Sequence, residues 1–456
     1  MKKITKLIPL FLLVVATPLT SCTLIRRRES VKAYKRSYSF NETNIARQNT
    51  FRELNTVNYP QGSGPTRSEL SENERQAYSN FSNETYHALV NTSKKDNFSY
   101  ATIGLFTLMN EMYGAISRDA LKTQFDALLG LDDVTREDFY KKVMKANSYA
   151  NEDNTTQLKN AAFFNSEYNF NQEFVNILTK LYCEAYQLNF KTDANKMVEW
   201  VNKAVNADNF IDTNFLELTD DSLLYFFSTL YFKNMWSNKY LAENNVTEDF
   251  YLSNGNKIQT EFMKHSYMAE GYYDYDKYIS FKDYYGASNS ITYLIPKSTD
   301  DNIFELTKNV NIFEENPEKA VKSEDEYNNY WLTVNLKTPK FKLKTDVDFK
   351  TSLASLGFID MFNESIDSFK NAFNDNSLSV YNVFISVMKQ RNEVEFNEDG
   401  TIVKSVSMSG FAKGESAPFI SNDTLDVNLN QPFIYIIRDI NNIPIFVGHV
   451  DNPKVN

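Results

Sequence analysis

Two cysteines and three histidines are the scarce chemistry-bearing residues of this chain, and neither set forms a catalytic pattern. His87, His265 and His449 lie far apart in sequence, so each reads as a surface or packed imidazole rather than a general base. No metalloprotease helix motif, phosphate loop, dinucleotide fingerprint or Gly-x-Ser-x-Gly elbow occurs. The carboxylates are too many to nominate an acid–base pair, and neither a metal nor a cofactor is expected. Cys183, in the apolar context Leu181-Tyr182-Cys183, reads as a small core residue. Chemistry of another kind is available near the C-terminus, where Glu398-Asp399-Gly400-Thr401 opens a polar run that alternates with period two. One face would carry Thr401, Val403, Ser405, Ser407 and Ser409, all small or β-branched. The other would carry Ile402, Lys404, Val406, Met408 and Gly410. The first set suits a strand slipped under covering helices. An ordinary surface loop that happens to alternate is the other reading.

The N-terminus is a targeting segment. Basic Met1-Lys2-Lys3 precedes the apolar run 7–16, and Leu19-Thr20-Ser21-Cys22 closes it. This run is too short for a comfortable membrane span, and its flanks are those of a signal peptide. Ending in Leu-x-small-Cys, residues 1–21 are expected to be a bacterial lipoprotein signal, with Cys22 lipidated as the mature N-terminus at the cell surface. Arg26-Arg27-Arg28 would then face anionic headgroups, contributing about 1 kcal/mol per charge. With Cys22 committed to lipid, no disulfide is expected.

Residues 22–69 are polar and carry the breaker cluster Tyr59-Pro60-Gln61-Gly62-Ser63-Gly64-Pro65, so they are expected to form a flexible tether. The folded domain is placed at 70–456. Its material is ample: 42% hydrophobic residues, with 35 Phe and 28 Tyr, against only 13 Gly and 11 Pro. A formal charge of −11 argues against nucleic acid as a partner, because phosphate binding needs a basic surface. Helices are expected after Ser68 or Ser71, around Ile103–Met112, over Leu121–Leu129 stopped by Gly130, over Gln172–Leu188, Ala194–Val205 and Phe349–Leu356. Strands are expected at Leu158–Phe164 and Leu223–Lys233, strands and hairpins over Phe250–Met263, Ser280–Ile295 and Trp331–Phe341, and strands that finish the sheets over Tyr381–Phe396 and Pro432–Val450. Leu223–Lys233 is almost continuously apolar and β-prone, the mark of a strand buried on both faces. Helices dominate the first half and strands the second, so the fold class is α+β.

Several segments, in order, resemble the landmarks of the serpin family over roughly residues 70–456. They are Trp200-Val201 with Asn206 downstream, and Ser228-Thr229-Leu230-Tyr231-Phe232-Lys233-Asn234-Met235-Trp236. Thr247, Phe250 and Met263 follow, then Leu336-Lys337-Thr338-Pro339-Lys340-Phe341 with Leu356-Gly357, Asp360 and Phe362. Last come Glu395-Phe396-Asn397-Glu398-Asp399-Gly400-Thr401, Gln431-Pro432-Phe433 and Phe446-Val447-Gly448-His449. Each motif alone is weak; their joint order is specific. The resemblance implies one domain of three β-sheets with about eight to nine helices and an exposed reactive-centre loop able to enter the main sheet. It implies a monomer that traps a serine protease, or secondarily a cysteine protease, as a covalent acyl-enzyme. The alternative is a non-inhibitory relative acting as a surface binding lipoprotein.

Carried onto this chain, the resemblance makes Glu398, Gly400, Thr401 and Val403 the hinge of the loop. Family spacing puts the scissile bond at Lys413–Gly414 or Gly414–Glu415. Lys340 and Glu398 correspond to the pair bridging the top of the sheet, near Trp236. The sheet-opening region departs from the family pattern. Ala101-Thr102-Ile103-Gly104 replaces Ser-Pro-x-Ser, Ser228 stands for the buried Asn, and Gln390 for its His partner. Either Ser228 and Gln390 form a substitute pair, or opening is tuned differently. Val403-Lys404-Ser405-Val406 stands where inhibitory members carry several Ala, and His449 stands where Arg is common.

Overall fold

The aromatic and β-branched runs build three sheets, and the computed structural model describes them over residues 51–92, 97–269, 271–286, 288–322, 332–403 and 423–454. The largest sheet holds β1 (Arg52–Glu53), β3 (Ser148–Ala150), β4 (Thr155–Asn165), β5 (Cys183–Leu188), β6 (Leu224–Met235), β14 (Phe341–Asp348), β15 (Lys389–Phe396) and β16 (Gly400–Val403). Its order is β1-β5-β4-β6-β16-β15-β14, with β3 paired to β4. A second sheet is made of β2 (Phe98–Tyr100), β9 (Gly271–Asp274), β10 (Tyr278–Tyr284), β11 (Ser290–Pro296), β12 (Ala320–Lys322), β18 (Phe433–Arg438) and β19 (Pro444–Val450). The third contains β7 (Val246–Tyr251), β8 (Lys257–Ala269), β13 (Leu332–Pro339) and β17 (Thr424–Asn428). β18 and β19 are buried along their whole length, which is why their sequences run apolar without alternation. Gly448 is fixed there by packing: a Cβ at this position would lie 2.2 Å from the Tyr435 ring.

Eight α-helices surround the sheets among the described residues: α1 (Glu72–Thr92), α2 (Thr102–Tyr113), α3 (Asp119–Leu129), α4 (Asp133–Ala146), α5 (Gln172–Lys180), α6 (Asn195–Ala204), α7 (Ile303–Leu306) and α8 (Phe349–Ser355). α2 is buried nearly all round and lies beneath the largest sheet, against β6 and β19. α6 covers the other face, with Met197 and Val201 packed among Phe163, Tyr225 and Phe227. α3 ends as expected at Gly130, whose φ of +69° gives a left-handed cap. α4 begins at Asp132, whose carboxylate accepts from the Val134 and Thr135 amides.

Three expectations are corrected. The helix expected over Gln172–Leu188 ends at Lys180, because Tyr182 takes φ +52° and turns the chain. Cys183–Leu188 then pairs in parallel with β4. The strand expected from Tyr381 starts only at Lys389. Residues 51–69, expected to belong to the tether, are part of the folded body, which forms one compact unit from Thr50. β1 extends the edge of the largest sheet by pairing Arg52 with Gln187 and Glu53 with Tyr186. Asn55 acts as a main-chain surrogate there. Its Oδ1 accepts from Ala185 N at 2.8 Å, and its Nδ2 donates to Cys183 O at 3.0 Å and to Thr179 Oγ1 at 2.9 Å. Tyr59 continues the strap by donating to Asn160 O at 3.1 Å. Asn55→Ala would leave the buried Ala185 amide unpaired, so we expect a loss of about 1–3 kcal/mol in denaturant unfolding. An unchanged midpoint would mean that the strap merely lies on the edge.

Candidate functional site

β15 and β16 form a tight hairpin whose turn is built by one side chain. Asn397 Oδ1 accepts from the amides of Asp399 at 3.1 Å and Gly400 at 3.2 Å, while Gly400 O accepts from Asn397 N at 3.1 Å. The chain therefore re-enters the sheet at once. β16 runs antiparallel to β6, with Gly400 to Val403 opposite Met235 to Phe232, and to β15, with Thr401 opposite Phe396 and Ile402 opposite Glu395. Thr401 is fully buried, whereas Ile402 is half-buried on the opposite face, which bears out the period-two reading at these two residues. Gly400–Val403, which the resemblance made part of the hinge of an exposed loop, are thus seated as a strand. Among the described residues no ladder joins β6 directly to β15; β16 stands between them at the Met235 end.

The seat is specific. Tyr285 donates its hydroxyl to Thr401 Oγ1 at 2.7 Å, and burial raises that phenol well above its ordinary range, so it remains a donor. Trp236 stacks on Tyr285 with ring centroids 4.8 Å apart, and its Nε1 donates to Asn397 O at 2.9 Å. Gly400 is glycine because of close approach: a Cβ there would lie 2.2 Å from Asn234 O. Asn234 is itself held by Tyr149, which donates to its Oδ1 at 2.9 Å.

Lys340 closes the top of this region on Glu398 at 2.9 Å and also reaches Glu261 at 3.4 Å. Burial pushes the Glu398 carboxyl up. Hydrogen bonds from Lys340, its own backbone N–H and Asn245 more than offset this and hold it below the ordinary carboxylate range. A lowered folded pKa means stability present at neutral pH and lost as pH falls through the folded value. Glu398→Gln should therefore cost about 1 kcal/mol near neutrality, with Lys340 left to Glu261. That deficit should close in strong acid, as read from denaturant unfolding of both proteins; a pH-independent deficit would exclude the charge as its cause.

Ser228 and Gln390 do not pair with each other; each is bound to α2 or the residue before it. Gln390 Oε1 accepts from Ala101 N at 2.8 Å and its Nε2 donates to Ala101 O at 3.2 Å, while Ser228 Oγ bonds Thr107 Oγ1 at 2.9 Å. They meet across Gly104, where an added Cβ would lie 2.9 Å from Gln390 Nε2 and 3.6 Å from Ser228 Oγ. The rewritten residues are thus a matched set in which a glycine makes room for a glutamine.

The structure brings together Glu398, Gly400, Thr401, Lys340 and Trp236, and places Ser228 and Gln390 further along the same two strands. Val403 enters by its main chain, opposite Phe232. Lys413, Gly414, Glu415 and Cys22 lie outside the described residues. Sequence reasoning missed Tyr285, Asn245 and the organising role of Asn397. Only the last had a local signal, an Asn three residues before a Gly.

The family model Serpin (serine protease inhibitor) matches residues 76–453. A serpin B10 from Sorex araneus is 26% identical over 327 residues, covering 69% of this chain and 77% of its own. An uncharacterised serpin-like protein from Methanosarcina acetivorans is 22% identical over 369 residues, covering 79% and 82%. The crystal structure of tengpin, a thermophilic serpin, in its native state superposes with a TM-score of 0.69 at 20% identity, covering 87% of this chain and 97% of that one. The chain belongs to the serpin family.

Proposed function

We propose that the chain is a protease trap driven by strand insertion. The observation that carries this is the seated hinge: β16 occupies the place of a new central strand between β6 and β15, with Thr401 already buried. Continued in the same register, the strand would set Ser407 opposite both Ser228 and Gln390, at the small site beside Gly104. Each added ladder bond would contribute about 1 kcal/mol net, so a dozen with their burial make the change effectively irreversible.

In this reading a serine protease, or secondarily a cysteine protease, attacks the carbonyl carbon at Lys413–Gly414 or Gly414–Glu415. The nucleophile's oxygen or sulfur bonds to that carbon, the scissile C–N bond breaks, and the amine leaves with a proton. Insertion then competes with hydrolysis of the acyl-enzyme. If insertion wins, the protease is dragged along the sheet and its oxyanion hole distorted, so deacylation stalls. Cys22 would carry the lipid that holds the molecule at the surface where such proteases are met. The test is incubation with a panel of serine and cysteine proteases. We expect a complex that survives denaturing electrophoresis, and a released C-terminal fragment whose mass identifies the bond. Cleavage with neither a complex nor a gain in thermal stability would reject the trap and favour the binding-protein reading.

A further inference from the structure

Where β8, β10 and the loop leaving β6 meet, a histidine and an aspartate are buried side by side. The His265 imidazole is 4% exposed and the Asp283 carboxylate 0%. His265 Nδ1 donates to Asn238 O at 2.9 Å, because a carbonyl oxygen can only accept. Its Nε2 lies 3.1 Å from Asp283 Oδ2, while Asp283 Oδ1 accepts from Tyr284 N at 2.8 Å. Two acceptors therefore face one ring. A neutral imidazole has a single N–H, so both contacts hold together only while the pair carries one proton more than a neutral ring beside an ionised carboxylate.

The titratable groups set around the pair are phenols: Tyr240 in the loop after β6, Tyr267 on β8, Tyr285 just past β10 and Tyr293 on β11. Burial raises each well above its ordinary range, so they bring no charge to the pair. Lys264 and Lys282 are the strand neighbours of His265 and Asp283 and face the other side, Lys282 toward Glu315 at 2.8 Å. Ring contacts join the pair to the seat of Thr401. His265 stacks on Tyr240 with centroids 3.9 Å apart, and Tyr240 meets Trp236 edge-on at 5.6 Å. Trp236 stacks in turn on Tyr285, the donor to Thr401. We propose that His265 and Asp283 form a proton-dependent brace for the Thr401 seat, as positioning residues that act through Tyr240 and Trp236. Loss of the shared proton sets a nitrogen lone pair against an oxygen at one of the two contacts. The loop after β6 then loses a hold, and the seat loosens as pH rises through that deprotonation. The brace stands on this geometry; its consequence for trapping rests on the trapping reading.

Amide exchange of Gly400–Val403 in the full chain, corrected for its intrinsic pH dependence, reads the seat. Ring 15N shifts of His265, assigned by their absence from His265→Gln, read the proton. In the wild type, protection should fall about tenfold across the pH at which the ring signals change. His265→Gln should show the lower protection at every pH. Asp283→Asn should keep the higher protection throughout, because its amide N–H can donate to Nε2 of a neutral ring while Nδ1–H still reaches Asn238. Simple loss of packing would not give that flat, protected profile. Flat protection in the wild type would overturn the brace, as would the same fall in Asp283→Asn, or a fall at a pH where the ring signals do not move. In reactions with a trapped protease, the ratio of complex to cleaved product should decline with pH more steeply for wild type than for Asp283→Asn. Equal declines would overturn the brace's part in trapping. A seat that titrates as expected, with no complex at any pH, would sink the trap and leave the brace standing.

Discussion

Replacing Thr401 by arginine is expected to abolish protease trapping while leaving loop cleavage intact. Thr401 has no exposed surface, accepts from Tyr285, and sits opposite Asn234 and Phe396 in a seat walled by the Trp236–Tyr285 stack. A guanidinium there would replace a small, fully buried hydroxyl, and burying a charge that lacks a hydrogen-bonded partner costs several kcal/mol. The four residues of β16 are held by a few ladder bonds worth about 1 kcal/mol each, so the strand leaves the sheet before the charge is buried. The arginine also blocks re-entry at the first position to be filled. Complex yield on a denaturing gel should fall to background while the cleavage rate is kept, and Thr401→Ser should retain trapping. Equal inhibition by wild type and Thr401→Arg would reject the mechanism.

His449 should make the fold acid-labile. It is buried on β19, stacked on Phe304 with centroids 4.2 Å apart, and its Nε2 lies 2.6 Å from the Tyr86 hydroxyl. Burial, helped by His87, lowers its pKa to about 3 from an ordinary 6.5, so the folded protein keeps it neutral. The unfolded chain binds the proton between those values. The stability present above 6.5 is therefore lost progressively as pH falls toward about 3. Between about pH 6.5 and pH 4.5 this amounts to roughly 2–3 kcal/mol. Asp439 works the other way over part of that window: burial raises it to about 6, so it holds its proton more tightly when folded. The wild-type curve is thus a sum, and the difference from His449→Asn isolates the imidazole. Unfolding midpoints should converge as pH falls from about 7 to about 4.5, and parallel curves would contradict the assignment.

The fold was legible wherever a single element carries its own signal. The apolar runs of β6, β18 and β19 and the Gly130 stop mark real elements and boundaries. What was not legible depends on partners distant in sequence. Cys183–Leu188 has helical-looking spacing, but its parallel pairing with β4 and the reversal at Tyr182 make it a strand. Residues 51–69 look like a linker by composition, because a strap stabilised by main-chain ladders and one Asn needs no apolar pattern. The Glu-x-Gly-Thr run was legible, yet its seating in the sheet was not, since that depends on Tyr285 just past the end of β10 and on the space that Gly400 leaves beside Asn234.

Amide hydrogen exchange before and after nicking the loop tests the central claim most directly. The account predicts that those amides of Leu224–Tyr231 in β6 and Lys389–Val394 in β15 that do not already bond β4 or β14 become strongly protected in the nicked protein, as a complete strand between β6 and β15 supplies their missing ladder partners. Unchanged exchange along both segments, with the severed loop fully cleaved, would contradict it.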